Sequence, residues 1–266
     1  MRVARLYRYP VKGFTPVPCD EIVVQDDGRV QGDRVLAFRF ADAAAPEERD
    51  GFDYWPKSKG LALMDFPSLG RLQLSFDGET LRIAEGDEVI VEAGLDEAGR
   101  RQISDRVGSW MIAGPEVRRL NRPGRLPLKL VGDGVTSRFQ DRPRGFITLH
   151  GEATVDDVGS KVSAPVDDRR FRSNIVIEGS NPWEELQWAS DGATLEIGGV
   201  RLVAQAPIGR CMAVAANPDT GIRDVNLMQT LTTEFDQQAP TLGILTLPDG
   251  AGGTIRVGDE LTVAMS

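Results

Sequence analysis

Histidine and cysteine are scarce in this chain, and their scarcity excludes several kinds of site. Among 266 residues there is one histidine, His150, and there are two cysteines, Cys19 and Cys211. A multi-histidine metal centre within one chain is excluded. So are a disulfide scaffold and a cluster held by several cysteines. Phosphate-loop and dinucleotide fingerprints are absent, and a serine hydrolase would have to use His150. No apolar run reaches membrane-spanning length, and Met1-Arg-Val-Ala-Arg5 lacks a signal-peptide core. Both absences point to a cytoplasmic protein with no membrane partner. The net charge of −9 argues against a nucleic-acid partner. An acidic surface keeps a protein soluble and also suits docking to a basic redox partner.

What is present is glycine and proline, 29 and 16 residues, the composition of many turns between short strands. Arg2 to Tyr9, Cys19 to Val24 and Val35 to Phe40 read as strands, and 42–50 as a polar, mobile insertion. Leu72 to Phe76 and Thr80 to Ile83 alternate around Asp77-Gly78, a hairpin signal. Val89 to Glu92 continues that meander. Ser104 to Ile112 reads as a short helix with Ser104 at its N-cap. Asn121 to Pro127 has the composition of a linker, which divides the chain into 1–120 and 121–266. Beyond it, Gly145 to Leu149 and Asn174 to Glu178 read as strands. Thr194 to Val203 reads as a hairpin turning on Gly198-Gly199. Glu152 to Val158 and Leu227 to Phe235 read as helices. The class is mostly β, an α+β chain with a few short helices.

Cys211 follows Arg210 on a loop at the end of a strand-like run. A thiol beside a guanidinium is poised to become a thiolate, which binds a soft metal or attacks an electrophile. The same spacing fits a buried structural cysteine. Asn217-Pro-Asp-Thr-Gly221 is a turn, since Pro218 fixes φ and Gly221 tolerates a positive one.

Six segments occur in a telling order: Tyr9-Pro-Val-Lys-Gly13, Gly32-Asp-Arg34, Gly151 to Asp157, Phe171-Arg-Ser-Asn174, the Arg210-Cys211 loop with Asn217 to Gly221, and Gly253 to Glu260. Together they resemble the MOSC proteins that carry a MOSC N-terminal β-barrel domain. That group includes the amidoxime reducing components and the C-terminal part of molybdenum cofactor sulfurase. The resemblance implies an N-terminal β-barrel-like domain over 1–120 and a MOSC β-barrel domain over 121–266.

It also implies a molybdenum cofactor of the molybdopterin form, with Cys211 as the metal ligand. Lys12, Gly13, Arg34, Arg172 and Asn174 fall where the family contacts phosphate and pterin, and Gly151, Gly209 and Arg210 lie beside the expected pocket. Lys57 or Lys59 is a candidate replacement for a family arginine. His150 is a candidate proton donor. Two departures stand out: Gly209 replaces a hydroxyl residue before Arg210, and Gly13 replaces a serine after Lys12. The implied activity is an oxidoreductase that reduces N-hydroxylated or N-oxide-type small molecules. Its electrons would come from a separate donor protein of iron–sulfur, flavin or haem type. The alternative is a carrier that delivers the cofactor, or sulfur as a Cys211 persulfide, to another enzyme.

Overall fold

The computed structural model describes residues 1–265. Its largest element is an eight-stranded sheet. From edge to edge the strands are Leu261–Ala264, Thr194–Ile197, Val200–Gly209, Thr241–Pro248, Ile147–Gly151, Ile175–Glu178, Arg2–Arg8 and Val17–Cys19. The expected mostly β, α+β class holds, but the sheet is not a closed barrel. One edge strand, Leu261–Ala264, comes close to the start of Arg2–Arg8, the strand next to the other edge, and stops short of pairing with it. Val3 and Leu261 N–H donate to the Asp259 and Met1 carbonyls, and a lone bridge joins Arg2 to Glu260. These bonds land on the turn before Leu261–Ala264 and on the start of Arg2–Arg8, so no ladder seals the gap.

The centre of this sheet explains its sequence. Ile147–Gly151 and Ile175–Glu178 run parallel, with Leu149 opposite Ile175. The helix Glu152–Ser160 lies in the connection between them. Ile175, Val176 and Ile177 are all buried, the continuous apolar run of a strand covered on both faces. Thr194–Ile197 and Val200–Gly209 turn on Gly198 and Gly199, both at positive φ, with Ile197 opposite Val200.

The rest is built from smaller pieces. Leu72–Phe76, Thr80–Glu85 and Glu88–Gly94 form a three-stranded meander. The expected helix beginning at Ser104 starts earlier, at Glu97, and runs to Ala113. Asp96 is its N-cap, accepting from the Gly99 N–H at 2.7 Å. Ser104 lies inside the helix, donates to the Arg100 carbonyl and accepts from the Leu130 N–H. Ile103, Val107 and Met111 form its buried stripe, worth roughly 1.5–3 kcal/mol for each side chain. Part of the expected mobile insertion is ordered as a hairpin, Glu47–Arg49 against Phe52–Tyr54.

Strand pairing runs across residue 120 in both directions. Lys129–Val131 pairs with Ala37–Arg39, Glu21–Val24 pairs with Gly253–Arg256, and Arg2–Arg8 pairs with Ile175–Glu178. One apolar core gathers residues between Val11 and Leu130, with Ala216. A second gathers Val3, Leu6, Ile22 and Val24 with the later strands. Among the described residues no helix is long and apolar enough to cross a membrane.

Candidate functional site

A cavity of about 330 Å³ opens where these pieces meet, a size typical of small-molecule and cofactor sites. Its wall includes Lys12, Gly13, Arg34, Arg172, Gly209, Arg210 and Cys211, so seven of the ten residues singled out from sequence meet there. His150, Gly151 and Asn174 do not line it.

Cys211 is half-buried and extended, at the N-terminal side of the short helix Met212–Ala215. The segments on both sides of it are pinned. Before it, the Arg210 guanidinium donates to the Leu242 carbonyl from Nε at 2.8 Å and from Nη2, and to the Phe171 carbonyl at 2.6 Å. Burial pushes Arg210 down to about 10, with Cys211 acting in the opposite sense. Arg210 thus lines the cavity while its donors hold the backbone together. After Cys211, the buried Arg170 donates from Nη1 to the Ala215 carbonyl at 3.2 Å and from Nη2 to both Asp224 carboxylate oxygens at 2.7 and 2.9 Å. Asn217 caps its own turn, accepting from the Asp219 and Thr220 N–H groups. Asp219 pairs with Arg169.

The cations are held in different ways. Lys12 is buried, and its Nζ donates to Asp141 at 2.6 Å and to the Phe139 and Gln140 carbonyls. Burial lowers its pKa, against the opposing pull of Asp141. Lys12, followed by the burial that opposes it, sets Asp141 well below the ordinary carboxylate range. Arg34 pairs with Asp33, and Arg172 donates to the Phe14 carbonyl at 2.6 Å. Gly13 has a φ of 84°, and an added Cβ would stand 2.8 Å from the Leu61 carbonyl oxygen. At Gly209 an added Cβ would meet nothing within 4 Å.

Three of the expected residues lie behind the wall and not on it. Asn174 is fully buried with its amide engaged: Nδ2 donates to the Tyr7 carbonyl and Asp33, and Oδ1 accepts from the Thr148 hydroxyl at 2.9 Å. Gly151 sits at the start of the helix Glu152–Ser160. There an added Cβ would stand 2.8 Å from Ser180 Oγ and 3.3 Å from Glu185 Oε2, so its smallness serves internal packing. His150 is fully buried and packs edge-on against Phe171, with ring centroids 5.9 Å apart. Burial first, then Arg210 and Arg5, push it down to about 3, which favours the neutral imidazole at pH 7.

Four charged lining residues escaped the sequence reading: Asp141, Arg142, Arg144 and Arg170. Asp141-Arg-Pro-Arg144 is a dense basic run around a proline, and that was the available signal. Lys57 lines the cavity, whereas Lys59 pairs with Glu47 at 2.7 Å. The wall therefore carries eight cations (Lys12, Arg34, Lys57, Arg142, Arg144, Arg170, Arg172 and Arg210) against one carboxylate, Asp141.

Residues 137–262 match the MOSC domain. Three similar proteins each match part of the chain. Mouse mitochondrial amidoxime-reducing component 1 is 33% identical over 126 residues, covering 44% of this chain and 35% of that protein. Rat mitochondrial amidoxime reducing component 2 is 29% identical over 125 residues, covering 43% and 36%. Molybdenum cofactor sulfurase of rice is 30% identical over 86 residues, covering 29% of this chain and 10% of that protein. The chain thus spans about a third of the amidoxime-reducing components and a tenth of the sulfurase. The matched segment supplies Cys211 and most of the cations, but Lys12, Gly13, Arg34, Lys57 and Ala62 to Met64 come from before it. The cavity is completed by the N-terminal part of the chain.

Proposed function

We propose that this cavity binds the molybdenum cofactor in its molybdopterin form, with Cys211 as thiolate ligand, and that the protein reduces N-hydroxylated or N-oxide-type compounds. The observation that carries this is the setting of Cys211, the one thiol of the MOSC segment. It opens into a strongly cationic cavity. A soft, anionic sulfur suits a soft metal, and guanidinium forks suit a phosphate. The relatives named for amidoxime reduction and for the molybdenum cofactor support the same reading.

The residues present fit such a group. Cys211 would hold the metal, and the Arg210 and Arg170 anchors would keep its sulfur in place. Arg34 and Arg172 would offer positive charge to the cofactor phosphate, and Gly209 leaves room beside Cys211. His150, Gly151 and Asn174 keep a supporting place behind the wall. Once bound, the cofactor would supply a two-electron redox centre able to accept oxygen. The net reaction breaks an N–O bond, takes up two electrons and two protons, and releases the amine-type product and water. The electrons would come from a separate iron–sulfur, flavin or haem protein.

Elemental analysis of protein from a host that makes the cofactor tests this reading, with Cys211→Ala beside it. Near-stoichiometric molybdenum in wild type, lost in the variant, is expected. Its absence from both, while another molybdenum protein loads in the same host, would overturn the reading.

A further inference from the structure

Most cavity cations are engaged within the protein. Lys12 is held by Asp141, Arg34 by Asp33 and Arg170 by Asp224, while Arg172 and Arg210 bond backbone carbonyls. Lys57, Arg142 and Arg144 are different: among the described residues they make no hydrogen bond and no ion pair. Arg142 and Arg144 are exposed and flank Pro143, whose ring fixes φ between them. Arg142 reaches only the Phe146 ring, at 5.9 Å.

We propose that Arg142 and Arg144, with Lys57, form a subsite for a carboxylate or phosphate group carried by the substrate. This rests on the cavity being a cofactor and substrate site. The division between buried and exposed cations favours substrate over cofactor. Arg34, assigned to the cofactor phosphate, is only 13% exposed in its side chain, the setting of a group that stays bound. The unpaired arginines lie at the exposed rim, where an exchanging molecule arrives first.

Charge points the same way. The chain as a whole is negative and repels anions, while eight cations against one carboxylate reverse the sign at this cavity. Guanidinium forks match both carboxylate and phosphate. Phe146, Ile208 and Leu245 line the same cavity and offer apolar surface to the rest of the molecule. The substrate class is therefore a small N-hydroxylated compound with an apolar body and an anionic tail.

The test uses two amidoximes that differ in charge, benzamidoxime and 4-carboxybenzamidoxime, on wild type and on R142A/R144A. Loss of charge-assisted hydrogen bonds predicts a rise of roughly tenfold or more in KM for the carboxylate. The KM for the neutral compound and both kcat values should stay within about twofold, as expected for a group contacting only the tail. Added salt should erode the wild-type preference. Equal KM values in wild type, or equal losses for both compounds in the variant, would overturn the subsite. Molybdenum content is measured in the same samples, and its loss in R142A/R144A would assign the arginines to the cofactor and overturn the proposal. If wild type contains no molybdenum, the reductase reading fails separately. Calorimetric titration with 4-carboxybenzamidoxime and inorganic phosphate then reads the subsite directly. Binding that R142A/R144A abolishes would keep it, and absence of binding to wild type would overturn it.

Discussion

Arg34 and Arg172, 138 residues apart, rest on the ring of one tyrosine. Their guanidinium carbons lie 4.9 and 4.4 Å from the centre of the Tyr9 ring. Both arginines have left-handed backbone, φ 52° and 55°, a conformation costing about 1–3 kcal/mol for a residue with a Cβ. Tyr9 is fully buried. Its N–H donates to Asp33 at 2.7 Å and its hydroxyl to the Ser173 carbonyl at 3.2 Å. One aromatic ring thus sets two cavity cations that the sequence keeps far apart.

Replacing Tyr9 should separate the roles of ring and hydroxyl. Tyr9→Phe keeps the ring and loses one hydrogen bond, a cost of about 1 kcal/mol in urea unfolding. Tyr9→Ala removes a buried aromatic and both cation–π contacts and should cost about 3–5 kcal/mol. In that variant molybdenum loading should fall even where the protein remains folded.

His150 predicts an acid-side loss of stability. Folded, it stays neutral down to about pH 3, whereas in the unfolded chain it takes up a proton near its ordinary value of 6.5. Below pH 6.5 the unfolded state therefore binds more protons. The stability present at neutral pH is lost as pH falls from 6.5 toward 3, by up to about 1.4 kcal/mol per pH unit. His150→Leu should remove this slope in urea unfolding between pH 7 and 4.5. Because both ring nitrogens lack partners, the variant should cost little at pH 7.

Two glycines in the cavity wall should respond in opposite ways. Gly209→Ser puts a side chain into open space and should change stability by less than about 0.5 kcal/mol. Gly13→Ala combines positive φ with a Cβ too near the Leu61 carbonyl and should cost about 1–3 kcal/mol. Guanidinium chloride midpoints distinguish the two.

The anchor behind Cys211 is open to a similar test. Asp224→Ala leaves the Arg170 guanidinium, 1% exposed in its side chain, without its carboxylate. Removing one partner of a buried pair costs about 3–5 kcal/mol, and the partial exposure of Asp224 brings the expectation to about 1–3. The Cys211 loop should loosen, so alkylation of Cys211, followed by intact-mass measurement, should be faster than in wild type.

Much of this was legible in the chain. The Asp77-Gly78 and Gly198-Gly199 turns announce their hairpins, and the residues gathered at the cavity lie in short segments with a recognisable order. What escaped did so for physical reasons. Gly99 looks like a helix breaker, which hid the Asp96 cap and shifted the start to Ser104. Asn174 and His150 are polar residues near the site in sequence, yet their exposure is decided by strands packed from elsewhere. Asp141 could be seen, but its hold on Lys12 joins positions 129 residues apart. Barrel closure depends on where the last ladder bonds fall, and no local pattern specifies that.

The place of Arg2–Arg8 inside the large sheet has a consequence for how the protein is made. This strand is translated long before Ile175–Glu178, and over that interval only three-residue Val17–Cys19 can pair with it. Its other neighbour, Ile175–Glu178, is translated far later, and Thr241–Pro248, which pairs with Ile147–Gly151 and Val200–Gly209, comes later still. The nascent chain must therefore carry an unpaired strand edge until Ile175–Glu178 emerges, a window in which it depends on being shielded from other chains.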